Sequence, residues 1–200
     1  MKRRNLGNLG SAARQVLDSS NFLASGAPNS INKEMKTKRI DFSKWTKSDI
    51  SLATQIWGEK EVTQYICASG VFTKDDIVDR LATEIKNDQL YGIQYWPIFE
   101  RETGELIGCC GIRPFGSEEH VYEFGVHLRK KFWRKGFAAE AANAVISYSF
   151  HTLKAAKLYA GHHPENQASE KLLTQLGFKF IGENYYPPTG LYHPSYELLP

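Results

Sequence analysis

Cysteine is scarce in this chain. Its 200 residues hold three, Cys67 alone and Cys109 beside Cys110, with no CxxC spacing. An odd count without paired spacing excludes a disulfide framework and a cysteine-based metal site, and reads as reduced thiols in a reducing compartment. Long apolar runs are missing as well: none approaches the ~18 residues of a membrane-spanning helix. Neither sign of charge dominates. The 25 basic and 22 acidic side chains leave a net +3, which lacks the basic excess expected of a nucleic-acid surface. No GxxxxGK[ST] loop and no GxGxxG fingerprint occurs, which excludes Walker-type and Rossmann-type nucleotide sites. Internal repeats and low-complexity tracts are absent. What remains, at 42% hydrophobic and 24% charged, is the composition of a packed globular domain, with or without an appendage.

The first 34 residues differ from the rest. Lys2, Arg3, Arg4, Arg14 and Lys33 face only Asp18 and Glu34 among scattered Ser, Gly and Asn. Basic, serine-rich and acid-poor is also the composition of an organelle transit peptide. The plainer expectation is a flexible or appended segment over 1–35 and a single domain over 36–200. No apolar h-region follows the basic start, so a secretory signal is not expected and a cytoplasmic location is.

From residue 36 onward strand-like and helix-like patterns alternate. Strands are expected at 38–42, 92–100, 105–114, 121–128, 157–162, 179–185 and 192–199. Thr46 with Asp49, and Thr73 with Asp76, carry the spacing of a capping box and open two helices. An Ala-rich helix follows Gly136 to about residue 153, and another spans 167–176, ended by Gly177 and its hydrophobic follower Phe178. Arg101-Glu102-Thr103-Gly104 reads as a hairpin turn. The sum is an α+β fold with a mixed sheet.

The stretch from Glu123 to Glu140 carries the most chemistry. A strand ends in basic residues, and the turn Trp133-Arg134-Lys135-Gly136-Phe137-Ala138 enters the Ala-rich helix. The first amides of a helix lack internal partners and its dipole favours an anion there. Gly136, Ala138 and Ala139 leave room for a bulky anion, and Arg134 and Lys135 add charge, so the turn is a candidate diphosphate site. On the residues alone, a plain turn and a solvated basic face over 129–134 remain open alternatives. His162 and His163, adjacent on a strand and so on opposite faces, read as structural, and no metal is expected. Cys109 and Cys110 read as one core residue and one half-buried residue.

The turn does not stand alone. In order come Thr37-Lys38-Arg39-Ile40, Gly104-Glu105-Leu106-Ile107-Gly108 with Gly111-Ile112, Glu123-Phe124-Gly125, residues 133–142, His163-Pro164-Glu165-Asn166-Gln167-Ala168-Ser169 and Leu176-Gly177-Phe178. In this order and spacing the sequence resembles the GCN5-related N-acetyltransferase (GNAT) superfamily, in the branch of ribosomal-protein N-terminal acetyltransferases of the RimJ/RimL type. The resemblance covers roughly residues 36–199. It implies a mixed, mostly antiparallel sheet of about seven strands with about four helices and a V-shaped splay between the two central strands. It also implies acetyl-CoA as co-substrate. The pantetheine would lie along Val126 to Leu128, the pyrophosphate on the amides of Arg134, Lys135, Gly136, Phe137, Ala138 and Ala139, and the Val126 amide would face the thioester oxyanion. Trp133 stands where the wider superfamily has Gln or Arg, as in the Rim branch.

Glu123 is the candidate base for a protonated amine. A strand-end glutamate paired to Arg113 is the equal alternative. Asn166 has an ordinary role as helix N-cap, to which the resemblance adds a contact with CoA. Ser169, in the first turn, is placed to approach the CoA sulfur, with a plain first-turn serine as the alternative. Leu173 stands where many relatives carry a tyrosine acid. Acceptor recognition is expected from the loop 58–72 and the hairpin 185–193, with Tyr65, Phe72, Tyr185, Tyr186 and Tyr192 as walls and Glu59, Glu61 and Glu183 as charges. The expected activity is N-acetylation of a primary amine, a protein N-terminus or a small molecule, by direct attack. The partners are that acceptor and no membrane or nucleic acid, in a monomer or homodimer. A silent acyl-CoA-binding domain and a ribosome or nucleic-acid adaptor using the basic N-terminal arm are the rival readings.

Overall fold

Alternation along the strands decides which residues meet which helices. In β2 (Tyr95–Glu100), β3 (Leu106–Pro114) and β4 (Val121–Leu128), successive side chains go to opposite faces. Trp96, Ile98, Cys110, Ile112, Phe124 and Leu128 fall into one core cluster, and Tyr95, Leu106 and Cys109 into a second; Leu106 joins the second because an irregularity at Ile107, between the Ile98–Gly108 and Phe99–Leu106 pairs, shifts the alternation by one. The computed structural model describes residue 35, residues 37–187 and residues 189–200. The segment 1–34, expected to be a flexible or appended piece, lies outside the described residues. Met35, grouped with that segment above, is fully buried with Ile40 and Phe42, so the packed unit takes it in.

The second cluster is covered by α1 (Ile50–Trp57), the short α2 (Lys60–Thr63) and α3 (Lys74–Tyr91). The first is covered by α4 (Phe137–His151), whose buried Ala141, Ala142 and Val145 let it lie close on the sheet, and by α5 (Gln167–Gln175) through Leu173. Helices on both faces explain why both Cys109 and Cys110 are fully buried; the expectation of one half-buried cysteine fails because neither face of β3 is open. Burial pushes both thiols well above their ordinary range, which leaves them unreactive.

Local signals set the helix ends. Thr73 accepts from the Asp76 amide while Asp76 accepts from the Thr73 amide, a complete capping box, and Gly92 at φ 69° closes α3 in the left-handed region. The box expected at Thr46 and Asp49 is only half formed. Asp49 accepts from the Thr46 amide and hydroxyl, but this closes a turn one step before α1, which starts at Ile50 without a side-chain cap. Asn166 caps α5 by accepting from the Ser169 amide at 3.1 Å, and Gly177 at φ 88° follows its end. The segment 58–72 is less of a loop than its composition suggests, since α2 interrupts it.

The sheet has seven strands in the order β1-β2-β3-β4-β5-β7-β6, with β1 at Ile40–Phe42, β5 at Lys157–Gly161, β6 at Lys179–Tyr186 and β7 at Leu191–Leu198. Every neighbouring pair is antiparallel except β4 and β5. The expected α+β fold with a mixed, mostly antiparallel sheet is what forms, with five α-helices among the described residues where about four were expected. β4 pairs with β3 along its whole length from Tyr122 to Leu128. It pairs with β5 only through Val121–Lys157, Tyr122–Leu158 and Glu123–Tyr159. Beyond Glu123 the two central strands part, and the expected V-shaped splay is the result.

Candidate active site

The splay leaves the edge of β4 from Phe124 to Leu128 without a strand beside it, on the side away from β3. Val126 and Leu128 both lie here and pack toward the α4 cluster. A strand edge with free amides and carbonyls accepts an extended partner as one more strand. The Leu128 carbonyl is already engaged, however, by the Trp133 indole N–H at 2.7 Å. That bond accounts for the tryptophan: it fastens the turn back onto the end of β4.

The turn itself is shaped for an anion. Arg134 at φ 58° and Gly136 at φ 80° both adopt the left-handed region, which costs a non-glycine residue such as Arg134 roughly 1 kcal/mol. Alternating backbone hand turns successive amides toward one concave surface. Helix α4 has no side-chain cap at Gly136, and its first intrahelical donor is the Glu140 amide, 3.1 Å from the Gly136 carbonyl. The Phe137, Ala138 and Ala139 amides thus point out of the helix end. Arg39, just ahead of β1, braces the turn: its side chain donates to Glu140 at 2.7 Å and to the Lys135 carbonyl at 3.0 Å, and lies 4.3 Å over the Phe137 ring.

The solvated basic face left open over 129–134 is present, with Lys130, Lys131 and Arg134 exposed and Arg129 half-buried, and the run is ion-paired as well. Arg129 is held by Glu59 and Glu105, Lys130 by Glu61, and Lys131 by Glu105; Glu59 also accepts from the Lys130 amide at 2.9 Å. Glu59 and Glu61, expected as charges for an acceptor, are paired with this run, and Arg134 and Lys135 are the cations of the segment left outside its ion pairs.

On the opposite face of β4 lie Glu123, Gly125 and His127. Glu123 faces Arg113 across the β3–β4 ladder and holds it with two hydrogen bonds of 3.0 and 3.2 Å. The paired-glutamate alternative is therefore present in the structure. A carboxylate has about four acceptor sites, so Glu123 keeps capacity for a water or an amine while bound to Arg113. Gly125 is glycine because Tyr95 fills its side-chain space: a Cβ there would stand 2.3 Å from the Tyr95 hydroxyl. Nδ1 of His127 accepts from the Trp57 indole at 3.2 Å. Burial, with Arg80 and Arg113 nearby, holds this imidazole well below its ordinary 6.5. Trp57 and Tyr95 are site residues that sequence reading did not single out, and Arg39 was quoted only within the stretch 37–40, with no role; their partners are tens of residues away, and no local spacing marks these contacts.

At the mouth of the splay the two expected acceptor segments meet. The Tyr65 ring lies 5.2 Å from His163, His163 lies 5.5 Å from His193, and His193 lies 4.9 Å from Tyr186. His162 is buried against Tyr196. Asn166 and Ser169 stand half-buried at the start of α5, beyond the end of β5. Between α5 and the β6–β7 hairpin is a separate cavity of about 590 Å³, lined by Glu170, Glu183, Phe180 and Tyr196 among others. Among the described residues, no group of three or more His, Cys, Asp and Glu is placed to hold a metal ion, and no helix is long and apolar enough to cross a membrane.

Against known proteins, the sequence model of the acetyltransferase (GNAT) domain matches residues 39–179. The chain belongs to the GNAT acetyltransferases. Their co-substrate is acetyl-CoA, and the uncapped amides and open strand edge just described fit a diphosphate and an extended arm. The chain is similar to p20 of Bacillus licheniformis, named as an uncharacterized N-acetyltransferase, with 33% identity over 147 residues, 73% of this chain and 82% of that protein. Among solved structures, a GNAT-family acetyltransferase from Bacillus anthracis superposes with a TM-score of 0.70 at 24% identity, over 82% of this chain and 96% of that one. RimL, a ribosomal L7/L12 α-N-protein acetyltransferase solved with coenzyme A, superposes at 0.69 with 14% identity, over 82% of this chain and 95% of that one.

Proposed function

We propose that this GNAT protein is an acetyl-CoA-dependent N-acetyltransferase that passes the acetyl group directly to a primary amine, with its catalytic unit over about residues 36–200 and a cytoplasmic setting. The observation that carries this reading is the parting of β4 from β5 at Glu123 and Tyr159, between the uncapped start of α4 and the face that holds Glu123. Acetyl-CoA supplies an activated acetyl group as a thioester. Arg134, Lys135, Gly136, Phe137, Ala138 and Ala139 bind its diphosphate through their amides, and the open edge at Val126 and Leu128 aligns its arm. The Val126 amide faces the developing oxyanion, where a fixed donor is most effective. Glu123 takes the amine proton directly or through water. Asn166 contacts CoA with what its cap bond leaves free, and the Ser169 hydroxyl sits near the departing sulfur. A protein N-terminus as acceptor, as in the ribosomal-protein branch, is favoured by the likeness to RimL.

Calorimetric titration with acetyl-CoA, with ATP and NAD as controls, tests the first step. Saturable binding of acetyl-CoA alone is expected, followed by amine-dependent thiol release. Glu123→Gln is expected to lower turnover about 10²-fold while acetyl-CoA still binds. Absence of binding by a folded sample would remove the enzyme reading, and an unchanged rate would remove Glu123 from it.

A further inference from the structure

Tyr95 begins β2, yet its side chain ends over β4. In the sheet it pairs with Gly111 of β3, and Gly111 pairs with Gly125 of β4. With no side chain at either glycine, the ring crosses β3 and its hydroxyl takes the space over Gly125. A Cβ there would stand 2.3 Å from the hydroxyl oxygen and 2.5 Å from Cζ. The ring is held in place. The Arg80 and Arg113 guanidinium carbons lie 5.0 and 5.1 Å from its centroid, and the His127 ring meets it edge-on at 5.7 Å.

Tyr95 is 2% exposed, and its backbone groups are spent on Glu84 and Trp45. Its hydroxyl has no hydrogen-bond partner among the described residues. Nor is it one of their occluded, unpartnered polar atoms, so the oxygen opens onto the face of β4 that carries Glu123. Burial, with the Glu123 carboxylate nearby, pushes this phenol above its ordinary pKa, so it keeps its hydrogen and can donate it. On the same face Nδ1 of His127 accepts from the Trp57 indole, so the neutral ring carries its hydrogen on Nε2 and offers no competing acceptor.

Glu123 precedes Gly125 by two residues, roughly 7 Å along the strand. An amine held at Glu123 therefore brings the next atoms of the acceptor under the Tyr95 hydroxyl. A ligand that covers this donor without giving it an acceptor loses affinity, and one that supplies an oxygen there is favoured.

We infer that Tyr95 is a specificity-determining residue of this site: its hydroxyl donates to a carbonyl oxygen next to the acceptor's amine, so that α-amino carbonyl compounds are preferred over plain alkylamines. The inference rests on the acetyltransferase reading and names the part of the acceptor that the same site reads besides its amine.

The test is an NMR titration of the full-length protein with L-alaninamide and, separately, with 3-methylbutan-2-amine, which has carbon in place of the amide oxygen and nitrogen. The unaltered protein is expected to bind alaninamide about tenfold more tightly. Tyr95→Phe keeps the ring and its arginine contacts and is expected to remove that preference, weakening alaninamide about tenfold and leaving the alkylamine within about twofold. In thiol release the same variant is expected to raise KM for alaninamide alone. Loosened packing would weaken both amines alike. Equal affinity of the unaltered protein for the two amines, or a preference that survives in Tyr95→Phe, would overturn the inference; the first comparison needs no variant to fold. Acetyl-CoA calorimetry on the same samples separates the two claims. Acetyl-CoA binding without a preference between the amines refutes only this one, and a preference without acetyl-CoA binding refutes only the acetyltransferase reading.

Discussion

His127 shows how a single side chain on β4 ties the site to folding. Its Nδ1 is spent on the Trp57 indole, and burial beside Arg80 and Arg113 holds the ring neutral. The unfolded chain titrates such a group near ~6.5. Above that pH both states are neutral and nothing depends on it. Below it the unfolded chain binds a proton that the folded protein refuses, so stability falls as pH drops, by up to about 1.4 kcal/mol per unit for each such group. His193 is shifted the same way, by burial and by His163 and His162. Urea unfolding is therefore expected to lose roughly 1–2 kcal/mol between pH 6.5 and 5.5. His127→Asn, whose carbonyl can still accept from Trp57, is expected to remove about half of that slope. An identical slope in the variant would mean that the imidazole titrates freely in the folded protein.

At the scale of elements, the turn ahead of α4 is held by bonds that its own sequence does not contain. Trp133 reaches back to Leu128, and Arg39 reaches from the far side of the chain to Lys135 and Glu140. A neutral hydrogen bond contributes about 1 kcal/mol, so Trp133→Phe is expected to weaken acetyl-CoA roughly fivefold by loosening the turn. Calorimetry with acetyl-CoA checks this, and loss of the cooperative thermal transition in the variant would point to general unfolding instead. The same contrast explains what could be read from sequence. The Thr73–Asp76 box, the Asn166 cap and the strands 105–114 and 121–128 are set by neighbours within a few residues, and they were legible. The start of α4 was legible because Gly136 ahead of an Ala-rich run marks a helix beginning locally. The roles of Arg39, Tyr95 and Trp57 were not, because each depends on a partner brought near only by the sheet. The pairing of Glu59 and Glu61 was not legible for the same reason: in sequence they are free carboxylates, and only the folded chain sets Arg129 and Lys130 against them.

For the whole molecule, the weak point of the sheet and the candidate active site coincide. Three residue pairs join β1–β4 to β5–β7 along the central ladder, and past Glu123 no backbone bonds cross between β4 and β5. A ligand that lies along β4 and reaches α5 replaces the missing ladder, so it stabilises the fold beyond its contacts with the turn. Ligand at about 100 times its Kd adds about 2.7 kcal/mol, which for a chain of this size raises Tm by roughly 5–10 °C. Hydrogen exchange locates the effect. Acetyl-CoA is expected to slow exchange of the amides at 124–128 as well as 134–139. ADP, which carries the diphosphate without the pantetheine arm, is expected to slow only 134–139 and to give the smaller Tm rise at equal saturation. Protection of 124–128 by ADP would show that anchoring the turn alone closes the splay, and β4 would then be an element positioned by α4 rather than a surface waiting for a strand-like partner.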